Sequence, residues 1–128
     1  MMRTPNVWEA SLISMASQKL NAVAAQTLVE QLRGTTVEAD EQGQLRFHVP
    51  ESAPTVPDTD VFPISFFYYD SDGMPVEMLL HLNGARRHIS SLERYRDDGR
   101  HINLLWPQLD QVRCSLYTPP GSIDAETP

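Results

Sequence analysis

The chain is predicted to be an α+β domain, an N-terminal helix or helix pair laid on an antiparallel β-meander of about five or six strands. Two observations predict it. Apolar residues recur at helical spacing up to Gly34, and the period changes to two after it, which is the segregated order of an α+β fold. Turn-forming clusters also punctuate the second part at Asp40–Gly43, Asp70–Gly73, Asn83–Gly84 and Asp97–Gly99, close enough together that consecutive strands must double back.

The helical part runs from Asn6 to Arg33. Trp8, Leu12, Met15 and Ala16, then Leu20, Val23, Ala24, Thr27, Leu28 and Leu32 fall on helical positions. Asn6 is a suitable cap, Ser17 could open a second helix, and Gly34 stops the pattern. One long helix and two consecutive ones are both compatible with this spacing.

Next come Thr35–Ala39 and Leu45–Val49, two alternating strands of a hairpin joined by Asp40-Glu41-Gln42-Gly43. The stretch from Pro50 to Asp60 is rich in proline and acid and reads as a surface loop, since proline cannot donate to a ladder. Val61 to Tyr69 is apolar on both alternating faces, which predicts a central strand covered on both sides. After the Asp70–Gly73 turn, Val76, Met78, Leu80 and Leu82 alternate with Glu77 and His81 up to Asn83–Gly84. Ile89, Leu92 and Tyr95 are three apart, so Arg87–Arg96 could be a helix. The flanking turns favour a strand with a bulge near Ser90–Ser91. A short strand over His101–Leu105 should close the sheet, and Leu109, Val112, Leu116 and Tyr117 should pack a last short element. Residues 1–117 are therefore expected to form one domain and 118–128 a proline-rich tail. Phe62, Ile64, Phe66, Leu80, Leu20 and Leu28 are the expected core.

Composition narrows function. Of 128 residues 41% are hydrophobic and 21% charged, enough apolar material to fold and unlike a disordered chain. The formal charge of −7 repels phosphate backbones, and no dense Lys/Arg cluster offsets it, so nucleic acid is not the expected ligand. The same charge would draw in a basic protein surface, although it also serves solubility alone. A single cysteine, Cys114, excludes an internal disulfide framework and fits a reducing compartment; with no run of about eighteen apolar residues and no leader of signal-peptide length, a cytoplasmic protein without membrane association is expected.

The residues give catalysis little to work with. Asp70-x-Asp72-Gly73 resembles the start of a calcium loop, but the later oxygen ligands are missing and Asp and Gly also suit a plain turn. His81, His88 and His101 match no zinc spacing, and Cys114 has nothing beside it in sequence to activate a thiolate. The run Phe66-Phe67-Tyr68-Tyr69 lacks the interleaved basic residues of a base-stacking platform and reads as a core strand. No phosphate loop, nucleophile elbow or cofactor motif appears, so neither a cofactor nor a metal is expected and the chain is expected not to be an enzyme.

In a meander the turns alternate between the two ends of the sheet. The acidic turns then share one rim, carrying Asp40, Glu41, Asp70, Asp72, Asp97 and Asp98, with Arg86, Arg87 and His88 at the opposite end. The plain alternative is that each Asp is there because turns favour it. Val76–Ile102, reading VEMLLHLNGARRHISSLERYRDDGRHI, together with the preceding FFYYDSDG and AAQTLVEQLRGTTVEADEQGQLRFHV, resembles small bacterial immunity-type proteins of polymorphic toxin and contact-dependent growth inhibition systems. The resemblance implies an inhibitor that binds and neutralises a cognate toxin domain; the net charge makes a basic domain the expected partner and the acidic rim the toxin-binding candidate, and a monomer or weak dimer is expected. The other readings are an acidic secretion chaperone for an effector protein and a small enzyme.

Overall fold

The computed structural model describes residues 2–57, 62–84 and 86–116. Two helices open the chain. In α1 (Val7–Ser17) the Asn6 side chain accepts from the Glu9 N–H while the Glu9 carboxylate accepts from the Asn6 N–H, a reciprocal capping box that satisfies two otherwise orphaned donors. The second helix, α2 (Ala22–Leu32), is capped by Asn21, whose side chain accepts from Ala24 N–H. Of the two arrangements open to the sequence, the pair is the one formed. The second cap is Asn21 instead of Ser17, because Ser17 is the last residue of α1 and its hydroxyl donates back to the Ser14 carbonyl.

Six strands follow: β1 (Thr36–Ala39), β2 (Leu45–His48), β3 (Ile64–Tyr69), β4 (Pro75–Leu82), β5 (Ile89–Arg96) and β6 (Arg113–Leu116). All pairings are antiparallel, in the order β1-β2-β5-β4-β3-β6. The sheet is thus no simple meander: the chain leaves β2 by the long loop, builds β3, β4 and β5 in turn, and brings β5 back against β2. The bulge lies where expected, the register shifting between His81, opposite Ser91, and Leu82, opposite Ile89.

The fold differs from expectation in two further places. His101–Leu105 forms no strand; β6 closes the sheet instead, beside β3 and after the 3₁₀ turn Leu109–Gln111. In addition, β3 is fully covered on one face only. Ile64, Phe66 and Tyr68 are buried, whereas burial on the other face falls off along the strand from buried Ser65 through half-buried Phe67 to Tyr69, which is 60% exposed.

On the covered face the register sets residues in rows. Leu45, Leu92, Leu80 and Ile64 stand side by side across β2, β5, β4 and β3, all buried against Leu12, Ile13, Ala16, Ala24 and Leu28 of the helices. Of the expected core, Ile64, Phe66, Leu80 and Leu28 are buried, and Leu20 and Phe62 pack half-buried at its margin. The next row reads Arg94, Met78, Phe66 and Cys114, and the one after it Arg96, Val76 and Tyr68. Two arginines therefore point into the interior, and their needs organise that end of the molecule. Val61, Tyr117 and the proposed tail, 118–128, lie outside the described residues.

Candidate functional site

Since β1, β3 and β5 run in the same direction, their C-terminal ends lie together, and the turns that carry Asp40 and Glu41, Asp70 and Asp72, and Asp97 and Asp98 gather at one end of the sheet. The strand order differs from a meander, yet strand direction alone decides which end a turn occupies. Arg86, Arg87 and His88 sit at the other end, where Arg87 donates to the Val56 and Pro57 carbonyls and His88 Nε2 lies 3.1 Å from the Ala53 carbonyl.

The six acids play different parts. Asp70 is 3% exposed, the buried member of the expected rim. Its carboxylate accepts four hydrogen bonds, from the N–H groups of Ser71 (2.8 Å), Leu104 (2.7 Å) and Asn103 (2.9 Å) and from Arg96 Nη1 (2.7 Å). These bonds explain why 101–105 is irregular: its N–H groups face a carboxylate, not a neighbouring strand. Burial alone would raise the Asp70 carboxyl, but the three N–H groups and the guanidinium outweigh it and hold it at about 2.

Arg96, its side chain only 4% exposed, collects three carboxylates: Asp70 at 2.7 Å, Asp72 at 2.5 Å and Asp98 at 2.8 Å. The guanidinium occupies the place that a cation would take in the calcium-like reading of Asp70-x-Asp72-Gly73. It ties the β3–β4 turn to the end of β5 and is itself held protonated by Asp98 and Asp72 first, then Asp70. Asp40 turns inward on its own loop, accepting from the N–H groups of Gln42 and Gln44. Glu41 and Asp97 are exposed, and neither has a hydrogen-bond or ion-pair partner among the described residues.

Arg94 has no carboxylate partner among the described residues. It is 3% exposed, donates from Nε to the Gly43 carbonyl and from Nη1 to Tyr68 Oη and the Leu105 carbonyl, and leaves Nη2 without a partner. Its guanidinium carbon lies 5.3 Å from the ring centres of both Trp8 and Trp106, whose planes meet edge to face 5.0 Å apart. Burial lowers its proton affinity, which the Tyr68 hydroxyl partly offsets. Sequence reasoning missed this cation box. The alternation Leu92-x-Arg94-x-Arg96 carries it, because residues two apart on a strand share a face.

The histidines do not converge: His81 lies 3.0 Å from Glu93 on the uncovered face, His88 is buried at the far end, and His101 is exposed beside the acidic turns. Among the described residues, no three His, Cys, Asp or Glu side chains are placed to hold one metal ion. Burial pushes the half-buried Cys114 thiol up to about 11, far from a reactive thiolate. No described helix is long and apolar enough to cross a membrane.

No curated protein and no solved structure matches the chain. A family model does match residues 2–105, spanning both helices, the first five strands and the segment held by Asp70, and the chain accordingly belongs to the family described as Domain of unknown function (DUF6984).

Proposed function

We propose that this protein works by binding another protein, a cognate toxin domain with a basic surface that it neutralises in the cytoplasm, and that it makes contact through the acidic end of the sheet. The observation that carries the reading is the gathering of three acidic turns at one end, in a chain of net charge −7. Glu41 and Asp97, with the outer sides of Asp40, Asp72 and Asp98, are the contact residues in this reading; Asp70 helps to fix the turns of Asp72 and Asp98 through Arg96. A rigid rim of this kind loses little freedom on docking, since Arg96 already fixes two of the three turns. Its field would speed encounter with a basic partner more than it would slow release.

Purified protein and the product of the neighbouring gene, compared by stopped-flow association and by protection of co-expressing cells, test this. Glu41→Lys combined with Asp97→Lys is expected to slow association by about tenfold at low salt, with the difference shrinking as salt rises. Glu51→Lys, at the opposite end, serves as the control. Unchanged association and unchanged protection in the rim variant would reject the rim, and absence of binding to any neighbouring product would reject the toxin reading.

A further inference from the structure

The seam between β2 and β5 opens into a cavity whose lining runs against the charge of the end on which it sits. These strands pair only at Leu45–Leu92 and Arg46–Ser91. Beyond that point the Gln44 side chain replaces the ladder, accepting from Arg94 N–H at 2.7 Å and donating to the Arg94 carbonyl at 3.1 Å. The gap is a cavity of about 410 Å³, within the size range of small-ligand clefts, and no carboxylate is among its described lining residues.

The lining is rich in unspent donors. Arg96 is committed to its three aspartates and Gln44 to the Arg94 backbone. Arg100, His101 and Gln42 also line the cavity; all three are exposed, and their side chains have no hydrogen-bond or ion-pair partner among the described residues. Arg94 lines it too, buried, with Nη2 unpartnered and no carboxylate in contact. A guanidinium, an imidazole and a primary amide supply N–H donors at the mouth, and behind them stands the Arg94 guanidinium, which feels the field of Glu9 but touches no carboxylate among the described residues. That set suits a guest that is negatively charged and accepts hydrogen bonds through several oxygens.

We infer that this cavity binds an oxyanion, a carboxylate or phosphate group, with Arg100 and His101 as its direct ligands, Gln42 as a neutral donor and Arg94 supplying charge from behind. The group can come from a free small anion or from an acidic side chain of a docked protein. The inference is independent of the partner reading, which concerns the outward carboxylates of the rim and a basic surface.

The test titrates the full chain with inorganic phosphate and, separately, with N-acetyl-aspartate amide as the mimic of an acidic side chain. Ionic strength is held constant with chloride, and the Arg100 side-chain and His101 ring resonances are followed. Saturable shifts of both groups are expected with at least one of the two probes. Saturation by phosphate alone assigns the site to a free phosphate-type anion, and saturation by the aspartate mimic assigns it to a carboxylate. Arg100→Gln is expected to weaken binding by about tenfold or more, the loss of one charge-assisted bond, whereas Arg86→Gln at the far end leaves it unchanged. Shifts that follow chloride equally, or an Arg100→Gln variant with unaltered affinity, would overturn the assignment.

Discussion

Replacing Asp70 by asparagine should be among the most damaging isosteric changes available to this protein. The carboxylate takes two hydrogen bonds on each oxygen: Ser71 and Leu104 N–H on one, Asn103 N–H and Arg96 Nη1 on the other. Asparagine keeps the shape but turns one oxygen into an amino group, so two donors lose their acceptor and face a third donor instead. Arg96 also loses the one carboxylate partner that is wholly buried. Breaking a buried charged pair from one side costs about 3–5 kcal/mol, a large part of the roughly 5–15 kcal/mol that holds a small domain folded. With a urea dependence of about 2 kcal/mol per molar, the unfolding midpoint should fall by about 2 M. Fluorescence of Trp8 and Trp106, both packed near this end, reports the transition in parallel with circular dichroism. Asp72→Asn and Asp98→Asn, whose carboxylates are partly in solvent, should move the midpoint far less. Equal effects in the three variants, or an Asp70→Asn midpoint within experimental error of the parent, would refute the reasoning that Asp70 is the structural member of the group.

Acid should expose the same residue. Its folded carboxyl titrates at about 2 against an ordinary 3.8, so the stability it contributes is complete above about pH 4 and is lost as the pH falls towards 2; urea midpoints measured across that window should decline more steeply in the parent than in Asp70→Asn. Gly43→Ala should destabilise by about 1–3 kcal/mol, seen as a lowered melting temperature. Its φ of +83° disfavours a side chain, and an added Cβ would lie 2.9 Å from both Arg94 Nε and a Leu105 methyl carbon. Cys114, its thiol pushed up by burial to about 11, should react with a disulfide reagent at pH 8 much more slowly in the native protein than in urea.

The sequence was most informative where one physical rule acts locally. Helical spacing and Asn6 located α1, the turn clusters located the ends of β1 to β5, and the change of period at Gly34 gave the α+β class. The shared end of the acidic turns was also legible, because it depends on strand direction and each short connection reverses direction. Strand neighbours were not: nothing local to Leu45 or Leu92 says that they meet across 47 residues of chain, and the expected strand at 101–105 failed because Asp70 takes its N–H groups from a distance. The acidic rim was read as one set because charge is visible in a sequence and burial is not. Burial, three backbone N–H groups and Arg96 separate Asp70 from exposed Glu41. Arg94 and Arg96 were half-legible. Their alternation with Leu92 places them inward, but of the two rings that receive Arg94 only Trp106 is near in sequence, and Trp8 lies at the other end of the chain.

The narrow join between β2 and β5 has a consequence for how the molecule comes apart. Two residue pairs, one glutamine side chain and the Arg94–Gly43 contact connect the β1–β2 hairpin to β5, whereas β4 and β5 share seven paired positions. A sheet divided so unevenly should open along its thinnest line, with the hairpin exchanging its amide hydrogens through partial openings that leave β3, β4 and β5 closed. Gln44 then acts as a clasp on that line, and the ease with which it lets go sets how often the first two strands detach while the rest of the domain stays folded.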